Sequence, residues 1–254
     1  MSRLKIFFQA VVIFCVFMPD ISLAETSQTS SGYYKRLRTI FGPVHVWKPP
    51  KYNHLTAGTV IFLHGYYIDA DRAWKQFNLQ KKFQKSNLNA VFIVPEVPSH
   101  WEVDVQWKNL KMLRKILNGN GIKLPSGKMS VMGHSGAYRT ILSWIRNAGK
   151  IDEIILLDAL YLGYKTFSGW VKNNKLSRLI VVGEITNKNS LILMKQIPKY
   201  RYRTDIPEEN ENFTTIEKNS GVLFMKSQYS HNALVENMLV IPKLLSISRV
   251  RHLR

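Results

Sequence analysis

Cysteine is almost absent from this sequence of 254 residues, which contains a single one, Cys15, within an apolar segment near its start. Beyond that segment the chain offers no thiol. Disulfide bonds, a cysteine nucleophile and a thiolate metal site are therefore excluded for the rest of the sequence.

Long hydrophobic runs are also scarce, and the one that attracts attention lies at the N-terminus. Residues 6–18 are almost wholly apolar, follow Arg3 and Lys5, and precede Ser22-Leu23-Ala24, which has small residues at the −3 and −1 positions of a cleavage site. This order predicts a secretory signal peptide over residues 1–24, cleaved after Ala24. Export without disulfides is typical of bacteria, so we expect a periplasmic or secreted protein.

Acidic residues are few, with 17 of them against 36 lysines and arginines. Without residues 1–24 the counts are 16 and 34, which leaves a net charge of +18. The basic residues are scattered and accompany no nucleic-acid-binding motif, so we expect no nucleic-acid partner. The charge does favour weak binding to anionic membranes or envelope polymers. Residues 25–254 have the length of one large domain.

Three motifs of metal and nucleotide chemistry are missing from the sequence. It contains no H-E-x-x-H pair of zinc ligands, no phosphate-binding P-loop and no G-x-G-x-x-G dinucleotide fingerprint. The chemistry must therefore be sought in other arrangements of residues.

The sequence does contain an alternation of apolar strands and amphipathic helices. The predicted strands share short apolar runs bounded by turns: 42–48, 58–63, 90–94, 129–132, 154–157, 179–182 and 222–225. The predicted helices share apolar residues at helical spacing: 72–85, 103–117, 137–146, 167–173, 190–197 and 233–247. Residues 26–32 are interpreted as a polar linker. The alternation predicts an α/β fold, with a mostly parallel central sheet and helices on both faces.

The sharpest local motif is G-H-S-G-A over residues 133–137, between a predicted strand and a predicted helix. It matches the G-x-S-x-G nucleophile elbow with alanine in the last place. A tight turn between strand and helix exposes the serine hydroxyl, and small flanking residues let the two backbones approach. The motif predicts Ser135 as a nucleophile, placed near the positive end of a helix.

A second feature is a histidine that follows the last predicted strand. His231 precedes the last predicted helix, where an imidazole can fold back over the sheet edge to a serine hydroxyl. The other histidines lie in strands, in early loops, within the elbow or in the basic tail. We therefore interpret His231 as the general base.

Two carboxylates compete for the role of the acid that orients His231. Asp158 ends the fully apolar strand 154–157, where an ionised carboxylate needs a partner. Glu184 follows the next strand and is the alternative acid. The sequence favours Asp158 and leaves both open.

Together with His64-Gly65-Tyr66 after strand 58–63, these residues resemble the α/β-hydrolase superfamily. The resemblance spans about residues 44–245, and segments 65–74 and 133–144 look like those of bacterial hydrolases. It implies the α/β-hydrolase fold and an oxyanion hole made by the backbone amides of Tyr66 and Gly136. It also implies a structural role for His64, and no metal or organic cofactor.

The resemblance further implies a serine hydrolase of the carboxylesterase or lipase-like kind. Ser135, His231 and Asp158 would form an acyl-enzyme from a small-molecule or lipid-like ester, with amidase or peptidase action as a variant. The alternative is a non-catalytic protein of the same fold that binds anionic envelope components through its basic surface.

Some residues near these motifs have two interpretations each. Arg139 is either a surface residue or a contact for a substrate carboxylate. Asp69 and Asp71 are interpreted as helix caps rather than metal ligands. Five aromatic residues are candidates for either a pocket or the core: Tyr66, Tyr67, Trp101, Tyr161 and Trp170.

Overall fold

The computed structural model describes residues 25–29, 31–147 and 149–253, so the predicted signal peptide lies outside the described residues. The strands are β1 Glu25–Thr29, β2 Gly32–Thr39, β3 Gly42–Lys48, β4 Gly58–Leu63, β5 Ala90–Pro95, β6 Met129–His134, β7 Glu153–Leu157, β8 Arg178–Gly183, β9 Arg201–Arg203 and β10 Val222–Lys226. The helices are α1 Ala70–Gln76, α2 Leu79–Lys85, α3 Leu110–Gly119, α4 Tyr138–Arg146, α5 Tyr164–Asn173, α6 Asn187–Met194, α7 Thr215–Asn219, α8 Ala233–Glu236 and α9 Val240–Leu245.

The strands form one sheet in the order β1-β2-β3-β5-β4-β6-β7-β8-β10-β9. Strands β1, β2 and β3 are antiparallel to their neighbours, and all the pairs from β5 to β9 along the sheet are parallel. The carboxyl ends of the parallel strands therefore meet at one edge, where α/β folds place their ligands.

Both faces of the sheet are covered, because successive residues of a strand point to opposite faces. In β4, Ile61 and Leu63 pack into one buried cluster, and Val60 and Phe62 pack into the other. Such two-sided burial explains why the central strands read as continuous apolar runs. The predicted fold class is confirmed, and each of the predicted strands is present.

Two predicted helices are shorter or divided, because a local backbone or capping interaction ends the helix where the apolar spacing would continue it. The helix predicted over residues 72–85 is two helices, because Asn78 takes a left-handed conformation with φ of 49° between them. The helix predicted over 103–117 begins only at Leu110, since the Asn109 side chain caps the amide of Met112.

The helix predicted over residues 233–247 is also two helices, α8 and α9, with a break after Glu236. Pro242 lies in α9, and a proline is tolerated only in the first turn of a helix because it lacks an amide hydrogen. A new helix therefore starts at Val240, close enough to Pro242 to place it in that turn.

The predicted linker over residues 26–32 is wrong, because β1 pairs with β2 in an antiparallel hairpin from Glu25 opposite Arg36 to Thr29 opposite Gly32. Backbone hydrogen bonds hold such an edge strand without apolar side chains, so its polar sequence does not indicate a strand. Strand β2 was missed for a similar reason, since its side chains are mostly half-buried.

Lys82 lies among the basic residues 81–85 but is not a surface charge. Its side chain is fully buried, and its ammonium group donates hydrogen bonds to the main-chain oxygens of Val235 and Glu236 at the end of α8. Lys82 thus ties α2 to the short helix that directly follows His231. None of the helices described here has the length and hydropathy needed to cross a membrane.

Candidate active site

Ser135 lies at the tight turn between β6 and α4, with a half-buried side chain. Its φ of 52° falls in the left-handed region that non-glycine residues rarely adopt. Gly133 makes the turn possible, because a Cβ there would come within 2.7 Å of Ile141 Cδ1 and 3.0 Å of Ala137 Cβ. The backbone conformation of a nucleophile elbow is therefore present.

His231 and Asp158 form a close pair at the carboxyl edge of the sheet. The Nδ1 atom of His231 donates a hydrogen bond to Oδ2 of Asp158 at 2.6 Å, although the two residues are 73 apart in sequence. Asp158 directly follows β7, is fully buried and has a φ of 46°. A carboxylate only accepts, so the proton is on Nδ1 and Nε2 of His231 is free to act as a base.

The buried carboxylate of Asp158 receives four further hydrogen bonds from the turn after β8. The backbone amides of Glu184, Ile185 and Thr186 donate at 2.9, 3.1 and 2.8 Å, and the Thr186 hydroxyl donates at 2.7 Å. Burial alone raises the pKa of Asp158, but the bonds from His231 and Thr186 outweigh burial and hold that pKa well below its usual value. Asp158 is therefore ionised at neutral pH.

Glu184, the alternative acid, has an exposed side chain and reaches Asp158 through its backbone amide. Many hydrolases carry their catalytic aspartate on the turn after this strand. In this chain the turn after β8 instead supplies backbone donors to Asp158, which follows the neighbouring strand β7. Of the two candidate acids, Asp158 is the one that the fold brings to His231.

His134, the residue before Ser135, contacts the His231 segment directly. Its Nε2 donates to the main-chain oxygen of His231 at 3.0 Å, and the two imidazole rings lie 4.6 Å apart. Burial, and then the charge of His231, lower the pKa of His134 to about 3. His134 is thus a neutral, buried link between the elbow and the candidate base.

The loop after β4 lies against the elbow, as the predicted oxyanion donors require. A Cβ on Gly136 would come 2.3 Å from Cε1 of Tyr66, and a Cβ on Gly65 would come 2.8 Å from that of Ser135. Glycine at both positions therefore lets the backbone of the loop and the elbow approach closely.

His64 is fully buried and holds this loop through hydrogen bonds of its imidazole ring. Its Nε2 accepts from the amide of Val97 at 3.1 Å, which places the proton on Nδ1, and Nδ1 donates to the oxygen of Gly65 at 2.8 Å. These two bonds fix the loop to the end of β5, so the contacts of His64 are those of a structural residue.

Arg139 lies one helical turn after Ser135, and its Nη1 donates to three oxygens of the structure itself. They are the main-chain oxygens of Trp101 at 2.7 Å and His100 at 3.3 Å, and the Tyr66 hydroxyl at 3.2 Å. Neither interpretation of Arg139 from the sequence, as a surface residue or as a contact for a substrate carboxylate, accounts for these three hydrogen bonds. Arg139 clamps the Tyr66 loop and the loop of residues 99–103 to α4.

A cleft of about 630 Å³ opens at this edge of the sheet. Ser135 and His231 both line it, as do four tyrosines and four other residues: Tyr66, Tyr67, Tyr138, Tyr161, His134, Gly136, Leu162 and Asn232. Trp101 is 63% exposed outside the cleft, and Trp170 is buried in the core beneath the sheet. Tyr66, Tyr67 and Tyr161 are therefore the pocket residues among the five aromatic candidates.

Tyr161 lines the same cleft as the candidate nucleophile. Burial, and then the charge of Asp158, raise the pKa of the Tyr161 phenol, while the nearby Ser135 side chain acts in the opposite direction. The phenol is thus protonated at neutral pH.

Solved structures share this architecture. A mutant of the feruloyl esterase module from Clostridium thermocellum, complexed with sinapinate, aligns at a TM-score of 0.58 with 8% identity, over 90% of this chain and 93% of that one. The chain has the α/β-hydrolase fold. S-formylglutathione hydrolase from Agrobacterium tumefaciens aligns at 0.51 with 12% identity, over 89% and 98%, and an arylesterase at 0.54 with 10% identity, over 87% and 86%. No family model and no curated protein matches the sequence.

Within the α/β-hydrolase fold, sequence reasoning missed three residues that support the site. The roles of Thr186, His134 and Arg139 depend on partners that lie 28, 97 and 38 residues away in the sequence. In the three described segments of the chain, no group of three or more His, Cys, Asp and Glu residues is placed to hold a metal ion.

Proposed function

We propose that this protein is an exported serine hydrolase that cleaves ester bonds through an acyl-enzyme on Ser135. The observation that carries the proposal is the 2.6 Å bond between His231 and Asp158, beside a strained Ser135 in the same cleft. A nucleophile, an oriented base and an ionised acid are the components of a catalytic triad.

In the first half of the reaction, His231 Nε2 takes the proton of Ser135 as Oγ attacks the ester carbonyl carbon. The carbonyl π electrons move to the oxygen, which the amides of Tyr66 and Gly136 stabilise. Collapse of this intermediate expels the alkoxide, which takes the proton from His231 and leaves an ester on Ser135. Asp158 stabilises the transient positive charge of His231.

In the second half, water replaces the alcohol and attacks the acyl-enzyme. His231 accepts a proton from the water, the same two amides stabilise the oxyanion, and Ser135 leaves with the proton returned by His231. The carboxylic acid then dissociates. The protonated phenol of Tyr161 is suited to donate a hydrogen bond to Ser135 Oγ when that atom leaves.

The lining of the cleft favours an uncharged ester. Apart from the two histidines, its residues carry no ionisable group other than tyrosine hydroxyls, and four tyrosines give it apolar walls with polar tips. A small-molecule or lipid-like ester fits such a lining better than a substrate with a free carboxylate. Similarity to a feruloyl esterase and an arylesterase supports ester over amide hydrolysis.

Labelling with a fluorophosphonate probe tests this proposal. The purified wild-type protein should be labelled, and Ser135→Ala and His231→Ala should lose the label, because the probe reacts only with an activated serine. Ser143→Ala, on the same helix as the elbow but outside the cleft, is the matched control and should keep it. A folded wild-type protein that resists the probe would favour the non-catalytic, anion-binding alternative.

Export is the part of the proposal that depends on residues 1–24. The apolar run after Arg3 and Lys5 and the small-residue site at Ala24 support it. Expression in a bacterial host, followed by N-terminal sequencing of protein from the periplasm or medium, should give Glu25 as the first residue. Retention of Met1 in the cytoplasm would contradict it.

A further inference from the structure

The edge of the sheet opposite the cleft has two adjoining surface cavities. They lie at the amino ends of β8 and β10, have volumes of about 480 and 430 Å³, and share Lys175 and Ser177 in their linings. Strand β8 is six residues long, which separates these cavities from the cleft by about 17 Å.

Five cations line the two cavities, and we call them the basic cluster: Lys150, Lys172, Lys175, Lys199 and Arg201. All of them are exposed. No salt bridge and no side-chain hydrogen bond joins any of them to another residue in the part of the chain that the structure describes. Some of the other basic residues are paired, such as Arg36 with Asp71 and Arg203 with Asp205.

One acid, Asp152, lines the smaller of the two cavities, and its carboxylate is already paired. Its Oδ1 is 2.9 Å from Lys128 Nζ, and its Oδ2 accepts from the amide of Met129 at 2.9 Å. The basic cluster is therefore a local excess of positive charge, and a concave surface with charges of one sign concentrates the field that attracts anions.

Apolar side chains project among these cations. Leu176 is 78% exposed, Ile216 is 60% exposed and Tyr200 is 39% exposed, and each lines one of the two cavities. We call these three the apolar tips. Exposed apolar groups next to unpaired cations are the combination that binds anionic lipid, because the headgroups attract the cations while the apolar groups enter the interface.

We propose that the basic cluster and the apolar tips form a docking face for an anionic membrane surface. The cations contact lipid phosphates, and Leu176 and Ile216 insert at the level of the headgroups. A soluble polyanion would use the cations but would gain little from exposed leucine and isoleucine, so the apolar tips favour a bilayer.

The face also sets the orientation of the protein. Because the cleft is at the opposite edge of the sheet, a protein docked in this way turns Ser135 away from the membrane. The membrane is then an anchoring surface, and the substrate of the proposed hydrolase reaches the cleft from water.

Vesicle binding of the purified protein tests the proposal, with phosphatidylcholine vesicles compared with vesicles that also contain phosphatidylglycerol. Wild-type protein should bind the anionic vesicles and lose binding as salt rises. Lys172→Glu/Lys175→Glu/Lys199→Glu and Leu176→Ser/Ile216→Ser should each weaken binding about tenfold or more. An unchanged midpoint of thermal unfolding shows that each variant is folded.

Matched control variants show whether binding depends on this particular face or only on the net charge and exposed apolar area of the whole protein. Lys75→Glu/Lys111→Glu/Lys115→Glu makes the same change of charge on α1 and α3, and Ile40→Ser/Leu55→Ser removes two apolar residues elsewhere that are more exposed than Leu176 and Ile216. Both controls should bind like wild type. Equal losses in control and face variants, or no binding by wild type, would overturn the proposal.

Binding of long-chain inorganic polyphosphate, a soluble polyanion, tests whether the face binds a polyanion rather than a bilayer. If Leu176→Ser/Ile216→Ser binds vesicles like wild type while the lysine variant alone loses polyphosphate, the face takes a soluble polyanion and the membrane proposal is wrong. If loss of the apolar tips weakens vesicle binding and leaves polyphosphate binding unchanged, a bilayer is the occupant.

Discussion

His134 Nε2 donates a hydrogen bond of 3.0 Å to the main-chain oxygen of His231, so the residue before the candidate nucleophile holds the residue that carries the candidate base. The bond is partly buried and joins two neutral partners, because the pKa of His134 is lowered to about 3. The elbow and the His231 loop are thus one unit rather than two loops that meet only at the reacting atoms.

Replacing His134 should slow the reaction of Ser135 without unfolding the protein. His134→Leu removes the donor, and a shift of the base by a fraction of an ångström should lower the rate of fluorophosphonate labelling about 10- to 100-fold. His134→Gln keeps an N–H donor near the position of Nε2 and should restore most of that rate. Equal rates in both variants would mean that the bond does not position His231.

Asp158→Asn should destabilise the protein in a pH-dependent way. At neutral pH the amide leaves the donors of Thr186, Ile185 and Glu184 without their carboxylate, at a cost of about 3 kcal/mol. The folded-state pKa of Asp158 is lowered, so the stability from its charge is complete above the unfolded-state pKa and is lost as pH falls through the folded-state value.

Urea unfolding of wild-type and Asp158→Asn protein between pH 7 and pH 3 measures this effect. The difference in free energy of unfolding should be constant down to about pH 5 and shrink below about pH 4. A difference that does not change with pH would show that the charge of Asp158 contributes nothing to the stability of the folded protein.

Much of this architecture can be predicted from the sequence, because apolar runs report burial directly. The strand 154–157 ends at Asp158, and strand 129–132 leads into Ser135, so the positions of both residues at one sheet edge follow from the parallel arrangement alone. Of the two histidines that follow them in the chain, His231 comes after the last predicted strand and His252 lies in the basic tail, which favours His231 as the base.

The support around the site is not visible in the sequence, because it is made by backbone groups and distant partners. Three consecutive amides from residues 184–186 hold Asp158, and any residue type provides an amide. Lys82 looks like a surface cation in a basic run until α8 packs over it. Local patterns carry no information on such long-range contacts.

Thr186 should be sensitive to loss of its hydroxyl and tolerant of loss of its methyl group. Thr186→Val removes the 2.7 Å donor to Asp158, and we expect a loss of about 2 kcal/mol in unfolding free energy together with slower labelling of Ser135. Thr186→Ser keeps the donor and is the matched control. Thermal unfolding and labelling rates of the two variants measure the effect, and identical behaviour would contradict it.

Arg139 and Tyr66 should act on the oxyanion hole as a coupled pair. The guanidinium fixes the Tyr66 hydroxyl at 3.2 Å, and the Tyr66 ring lies against Gly136, so the bond fixes the two backbone amides relative to each other. Tyr66→Phe and Arg139→Met should each reduce the labelling rate about tenfold. The double variant should be little slower than either one, because both remove the same bond.

The labelling rates of the four proteins in this cycle give the coupling energy, and Arg139→Lys shows whether one donor is enough. Arg139 also binds the main-chain oxygens of His100 and Trp101, so Arg139→Met should loosen that loop as well and increase its amide exchange, whereas Tyr66→Phe should not. Strictly additive effects on labelling would mean that Arg139 holds the 99–103 loop and has no part in positioning Tyr66.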